Sequence, residues 1–381
     1  VGISPWGNLR GIRPLEAVRL LHTYNPKALV LGYFNMGYWT HPITDTFDAA
    51  DSSWIRDYHW ARKALEFNPQ SVWIYTLATG LPWLGSLISD NWGNPPFADS
   101  VANMLVRAAN MRDSTGRYIF DGFFFDSVTR KPGDSDNGAN GGPWDLARLG
   151  FSSDAMMNDA TTSQLSTFFG KVKSGCPQGF KMYINPVTKA DSYIQNWVMD
   201  GELVEGFDAA TSFTEGRSFC LWTSPDIKLL KAEDFSGPPT YSASKTKQAR
   251  FLLGTACLGD GWAYIHTGDN NFRNGFYDEY SVDEGGSSDT SGAHQGWLGQ
   301  PLAPAYVQDG VWRRDFQNGV VLVDSTFATP MKVDLGNHSY RRISGTTDRS
   351  VNYGYTVRDV IVPPRDAIFL YKPSGQRAKR P

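Results

Sequence analysis

Residues 120–128 read FDGFFFDSV, an apolar run broken by two aspartates. A continuous hydrophobic run without alternation marks a parallel strand covered on both faces. In parallel barrels and open sheets, chemistry gathers at the carboxyl ends of such strands. Asp126 falls at that end and is the first catalytic candidate, whereas Asp121, at the entrance, is expected to cap the strand or bind a backbone amide. The segment GELVEGF at 201–207 supplies a second carboxylate. Its Glu202 and Glu205 point to opposite faces of a strand, and Glu205 lies nearer the carboxyl end. A carboxylate pair flanking a pocket is the minimum machinery for cleaving a glycosidic bond, one group acting as acid and the other as nucleophile or base.

Other side chains are candidates to line such a cleft. Tyr33 and Asn35 lie on the strand at 28–36, Tyr75 on the next and Asn185 on the strand before Glu205, while Trp39, Trp83 and Trp144 offer flat stacking faces. Asp208 is a further contact and, with Glu215, a substitute should Glu205 point away. His266 and Asp269 end the last strand, where binding sugar hydroxyls and a core or capping role compete equally. The segment YDEYSVDEGG carries Asp278, Glu279, Asp283 and Glu284, of which Glu279 is a third carboxylate at the rim; segments after a final barrel strand more often bridge to the next domain. The chain holds 13 Trp, 17 Tyr and 22 Phe, 14% of its residues, many in polar, Gly-rich context. Aromatic faces beside hydrogen-bonding groups suit a sugar ring, although most of these residues are expected to be core.

Several function classes are disfavoured. A net charge of −3 and no long basic run beyond the RAKR tail give nucleic acid nothing to bind. No run of 18 apolar residues suggests a membrane span. The six histidines show neither HxH nor HExxH, the oxygen-bearing Asp134, Asp136 and Asn137 are out of register with a calcium loop, and GxSxG is absent. No metal or other cofactor is expected. Cys176, Cys220 and Cys257 are too widely spaced for a zinc or redox motif and read as mostly buried thiols, with one disulfide open. The start, VGISPWGNLR, is no basic and apolar leader. An extracellular or cell-surface protein with its signal peptide removed is expected, the cytoplasm being the alternative.

The positioning elements follow a β/α rhythm. Helical spacing at 13–25 leads into a strand at 28–36, and 51–67 into 71–77. The pattern repeats with a helix at 98–111 before GFFFD, 163–175 before 180–186, and 191–199 before 201–207. A strand at 226–235, a helix at 242–259 and a strand at 261–267 complete it. Such alternation closes most readily into a (β/α)8 barrel, with VGISPW an abbreviated first strand and an open doubly wound sheet the competing form. The barrel is expected over 1–285, with a Gly- and Asp-rich loop insertion at 130–162 on the cleft rim. Beyond residue 300 short alternating strands take over, and QNG at 317–319 signals a hairpin. A small antiparallel, sandwich-like β domain is therefore expected over 300–375, packed against the barrel or binding carbohydrate.

FDGFFFDSV, then INP, DGELVEGF, LLGTACLGDGWAYIHT, YDEYSVDEGG, GWLGQPLAPA and WRRDFQNGVVLVD, in that order over residues 28 to 372, resembles the glycoside-hydrolase-like (β/α)8 barrels with a C-terminal β domain. It is also similar to the endo-α-1,4-polygalactosaminidase type, in which an Asp after the fourth strand and a Glu after the sixth form the proposed acidic pair. The resemblance implies those roles for Asp126 and Glu205, with a poly- or oligosaccharide as substrate. The alternative is an inactive barrel that binds a glycan.

Overall fold

The computed structural model describes residues 2–3, 14–36, 77, 93, 95–129, 143–186, 198–207, 213–223, 225–234, 242–267 and 275–373. The chain divides into two compact units, Val1–Glu202 and Leu203–Pro381. The architecture is α/β, parallel strands alternating with helices and then an antiparallel β region, as the sequence pattern indicates.

In the first unit β1 (Gly2–Ile3), β2 (Leu31–Asn35), β3 (Gly122–Val128) and β4 (Lys181–Pro186) lie side by side in sequence order, followed by β5 (Gly201–Val204), whose Gly201 and Glu202 end that unit. Of the first strand expected in VGISPW, the described Gly2 and Ile3 pair in parallel with Leu31 and Gly32. β2 hydrogen-bonds directly to β3, Leu31 beside Gly122, so no strand is interposed between them. The segment expected to be next in order, 71–77, lies outside the described residues apart from Leu77.

The helices start where the sequence supplies N-terminal signals. α1 (Pro14–Tyr24) and α2 (Pro95–Ala109) open on proline, whose missing N–H costs nothing in a first turn. The short α3 (Leu146–Leu149) is capped by Asp145, and α4 (Asp154–Gly175) by the Ser153 hydroxyl, which accepts the Met156 N–H. Helix thus begins well inside the expected 130–162 loop, of which 130–142 lie outside the described residues. Phe123 and Phe125 pack on Phe168 and Phe169 of α4 and on Phe180, with the Phe123–Phe180 centroids 4.9 Å apart and Phe125–Phe169 5.1 Å. Trp144 is buried in this same core at 4% exposure. Its apolar body is consumed by packing, which replaces the expected stacking face on a cleft rim. At the other strand end Asp121 accepts the Val30 N–H at 2.8 Å, the backbone-amide role foreseen for it.

The second unit contains α5 (Phe213–Cys220), the parallel pair β6 (Ile227–Asp234) and β7 (Trp262–Thr267), and α6 (Ala243–Leu258). It continues with β8 (Tyr306–Gln308), β9 (Val311–Asp315), β10 (Gly319–Asp324), β11 (Met331–Asp334), β12 (Tyr340–Arg342), β13 (Thr356–Val357), β14 (Asp359–Val362) and β15 (Asp366–Tyr371). Six of these form an antiparallel sheet in the order β13-β12-β15-β10-β9-β8, and β11 pairs with β14. The QNG hairpin is present, Phe316 N–H donating to the Gly319 carbonyl between β9 and β10.

One core joins the later β/α elements to this sheet. Phe251, Leu252 and Ala256 of α6 cluster with Leu230 and Ala232 of β6, and with Val321, Val323, Ala367 and Phe369 of the sheet. The compact division therefore falls at 202/203, and the residues expected to separate a barrel from a following domain, 285–300, lie inside the second unit. The close approach depends on Gly254, where an added Cβ would sit 2.5 Å from Ala367 Cβ and 3.0 Å from Val323 Cγ2. A mid-helix Gly→Ala change ordinarily gains about 1 kcal/mol, but forced overpacking costs about 1–3 kcal/mol. Gly254→Ala should consequently lower the urea midpoint of unfolding; a raised midpoint would mean that helix and sheet stand further apart.

Candidate active site around Asp126

Alternation along the strands selects the side chains that meet. Phe123 and Phe125, Met182 and Ile184 face the helix layer and are buried in its core. Phe124, Asp126, Tyr183 and Asn185 must then face the other way, and Tyr33 joins them because it is in register with Phe124. At the carboxyl ends of β2, β3 and β4 these residues converge. Asp126 Oδ1 accepts from Asn185 Nδ2 at 2.8 Å and from the Ser127 N–H at 2.8 Å. Its Oδ2 accepts from the Tyr33 hydroxyl. Asn185 is 5% exposed, and Asp126 and Tyr33 are half-buried.

Three donors on one carboxylate hold its plane and both oxygens in place. Such a group is preorganised to accept a proton or to face developing positive charge. The backbone around it is also unusual. Ser127 has φ +57°, a left-handed conformation that non-glycine residues adopt uncommonly, and the register to β4 shifts between Phe125 and Val128. Strain of this kind, on the order of 1–3 kcal/mol, tends to persist at functional sites. It re-aims the chain directly after Asp126. Ser127 carries no mark in the sequence that would have singled it out.

Glu205 stands in the second unit, just past β5. It is exposed and ion-paired with Lys231 of β6, whose side chain is 15% exposed. The Phe207 N–H donates to the Lys231 carbonyl at 2.8 Å, fixing the two chain segments side by side. Leu230 and Ala232 point into the core under α6, so Lys231 takes the opposite face, in register with Tyr264 of β7. Burial raises the Tyr264 phenol above its usual range. Lys231 was not among the sequence candidates, yet a lysine between apolar residues in IKLLKAED was the signal available. Glu202, the other glutamate of this strand, is 3% exposed and pairs in register with the helix-facing Ile184. Glu215 is exposed in the first turn of α5.

Asp278 and Glu279 serve the interior of the second unit, which corrects the rim position expected for Glu279. Asp278 accepts from the backbone N–H groups of Thr346, Thr347 and Asp348 and so shapes the 345–352 turn. Glu279 is 4% exposed and accepts from Asn352 Nδ2 at 2.7 Å. The neighbouring Arg250 is clamped by both oxygens of Asp366, at 2.9 Å each, and by Asp348 at 2.7 Å. These contacts satisfy buried charges rather than line a cleft. Asn35 is described in backbone only, in register with Asp126, and so is His266, the last residue but one of β7, in register with Glu233. Trp39, Tyr75, Trp83, Asp208 and Asp269 lie outside the described residues. Among the described residues no group of three or more His, Cys, Asp and Glu has a metal-binding arrangement, and all three cysteines are free thiols.

No family model and no curated protein matches the chain. Among solved structures, the chain is similar to Ttha1563 from Thermus thermophilus, with a TM-score of 0.43 and 10% identity over 94% of this chain and 79% of that one. It is likewise similar to an alpha-amylase from H. orenii, with a TM-score of 0.44 and 10% identity over 94% of this chain and 84% of that one.

Burial drives the Glu279 carboxyl up to about 7, against the opposing pull of Arg250 and the Asn352 hydrogen bond. The folded protein then holds a proton that the unfolded chain has already lost. This contribution to stability is complete below the ordinary value of 4.5 and disappears as pH rises through 7. Glu279→Gln should therefore gain stability relative to the wild type between pH 4.5 and pH 8. The check is urea unfolding of both proteins across that range; a pH-independent difference between them would contradict the assignment.

Proposed function

We propose that this protein is a glycoside hydrolase, cleaving O-glycosidic bonds of a poly- or oligosaccharide with Asp126 at its catalytic centre. The observation that carries the reading is the Asp126 carboxylate at a parallel strand's carboxyl end, held by Tyr33, Asn185 and the Ser127 N–H above a strained backbone. Its neighbours all donate, so the group acts as an acceptor. In glycoside cleavage that is the part of the nucleophile or base, which meets the positive charge growing at the anomeric carbon. Tyr33 and Asn185 are positioning residues. The reaction also requires a second carboxyl group as proton donor, and Glu205 is nominated for it by its place at the end of its own strand; its ion pair with Lys231 favours the carboxylate and must open before Glu205 can carry the proton. An extracellular or cell-surface location accords with a polymeric substrate.

Product release from polysaccharides and aryl glycosides by the wild type, Asp126→Asn and Glu205→Gln tests the assignment. Each variant should keep its fold and lose turnover by about a thousandfold or more. Tyr33→Phe removes one hydrogen bond to a charged group and should lower kcat by about ten- to a hundredfold with little change in KM. Full turnover in Asp126→Asn would sink the proposal, and glycan binding without product from all of these proteins would point to a non-catalytic glycan receptor.

A further inference from the structure

The second unit carries a cleft of about 590 Å³ that the catalytic reading does not use. Its lining includes Gln295, Trp297, Gln300, Gln317, Asn318 and Asp283. The chemistry of these walls restricts the ligand. Among the described residues no Lys or Arg lines the cleft, its one histidine, His294, is paired with Asp289 at 2.8 Å, and Asp283 and Glu284 add negative charge, so a phosphate, sulfate or other anion is disfavoured. Val282 and Ala293 are its only aliphatic side chains among the described residues, too little for an apolar ligand. Four carboxamides in one cleft instead offer donors and acceptors in pairs, the complement of a vicinal diol, and Trp297 adds an aromatic surface for a C–H face.

The walls are built before any ligand arrives. Gln317 Oε1 accepts the Gln300 N–H at 3.1 Å, and Asn318 Nδ2 donates to the Trp297 carbonyl at 2.9 Å. Trp297 Nε1 donates to the Glu279 carbonyl at 2.9 Å, which anchors the indole to the unit's interior. The backbones of 317–318 and 298–300 are cross-bonded, Gln317 N–H to the Gln300 carbonyl at 3.0 Å and Asn318 N–H to the Leu298 carbonyl at 2.9 Å. The turn between them needs Gly299, at φ +73°, where an added Cβ would sit 2.7 Å from Gln317 Oε1. These bonds use the Gln317 carbonyl and the Asn318 amide, leaving the Gln317 –NH2, the Asn318 carbonyl and the whole Gln300 carboxamide for a ligand. Side chains immobilised in advance lower the entropic cost of binding.

We propose that this cleft is a second, non-catalytic glycan-binding site, taking a neutral, hydroxyl-rich stretch of a polysaccharide. It draws its ligand class from the proposed function but does not depend on Asp126. The test uses the full-length Asp126→Asn protein, which leaves polymers intact, in affinity electrophoresis through gels cast with soluble starch, mixed-linkage β-glucan, galactomannan or glycol chitin, all of them uncharged. Gln317→Glu keeps the acceptor for the Gln300 N–H and removes the –NH2 donor, while Gln300→Ala trims an exposed side chain; neither threatens the fold.

At least one neutral polymer should retard the parent protein, and the combined substitutions should weaken that retardation about tenfold or more. In the wild-type background the same pair should lower turnover of that polymer while leaving a short aryl glycoside unaffected. Absence of retardation by all four polymers, or retardation undiminished by the pair, overturns the cleft assignment. The catalytic reading fails separately, through retained hydrolysis in Asp126→Asn, so the two results remain distinguishable.

Discussion

Side chains on a strand alternate between two faces, and in the first unit one face is committed to aromatic packing. Phe123 and Phe125 are locked against Phe168, Phe169 and Phe180, and Met182 and Ile184 join them from the next strand. Burying a phenylalanine contributes about 1.5–3 kcal/mol. A one-residue slip of β3 would expose two such rings and drive Asp126 into the core. The register is therefore held by apolar burial, and the polar group of Asp126, Tyr33 and Asn185 is its consequence on the opposite face.

The second unit is governed by a different arrangement. There a helix following a parallel strand packs on an antiparallel sheet, and the approach is close enough to demand glycine at 254. Arg250 of that helix enters the interior and is matched by Asp366 and Asp348, with Glu279 nearby under Asn352. Desolvating these charges is expensive, and removing one partner would leave another uncompensated, at a cost of about 3–5 kcal/mol. The cluster binds helix, sheet and the 345–352 turn into one cooperative body. Asp278 and Glu279, after β7, are in this way structural, despite a composition that resembles a catalytic rim.

Both units show how an identical residue type takes opposite roles according to what surrounds it. Asp126 receives three donors yet stays half-buried, whereas Asp278 receives backbone donors and is wholly enclosed. Burial favours the neutral Asp278 carboxyl, but the hydrogen bonds from the 345–352 turn and Asn352 prevail and hold it below its ordinary range. Access, rather than hydrogen-bond count, separates a carboxylate able to meet a substrate from one that organises a turn.

The sequence by itself determined the elements whose signals are local. Apolar runs and helical spacing located β2, β3, β4, α1, α2 and α6, the Asn-Gly turn located the β9–β10 hairpin, and the end of FDGFFFDSV located Asp126. These patterns repeat within a few residues and so need no knowledge of the rest of the chain. Only the tertiary structure decided what lies beside them. Tyr33 and Asn185 reach Asp126 from 93 and 59 positions away, through the pairing of β2 and β4 with β3. The left-handed turn at Ser127, the burial of Trp144 and Glu279, the Lys231 partner of Glu205 and the core that α6 shares with the antiparallel sheet likewise arise from packing between distant segments. Register and burial are properties of assembled surfaces, and a residue's own neighbours in the chain do not specify them.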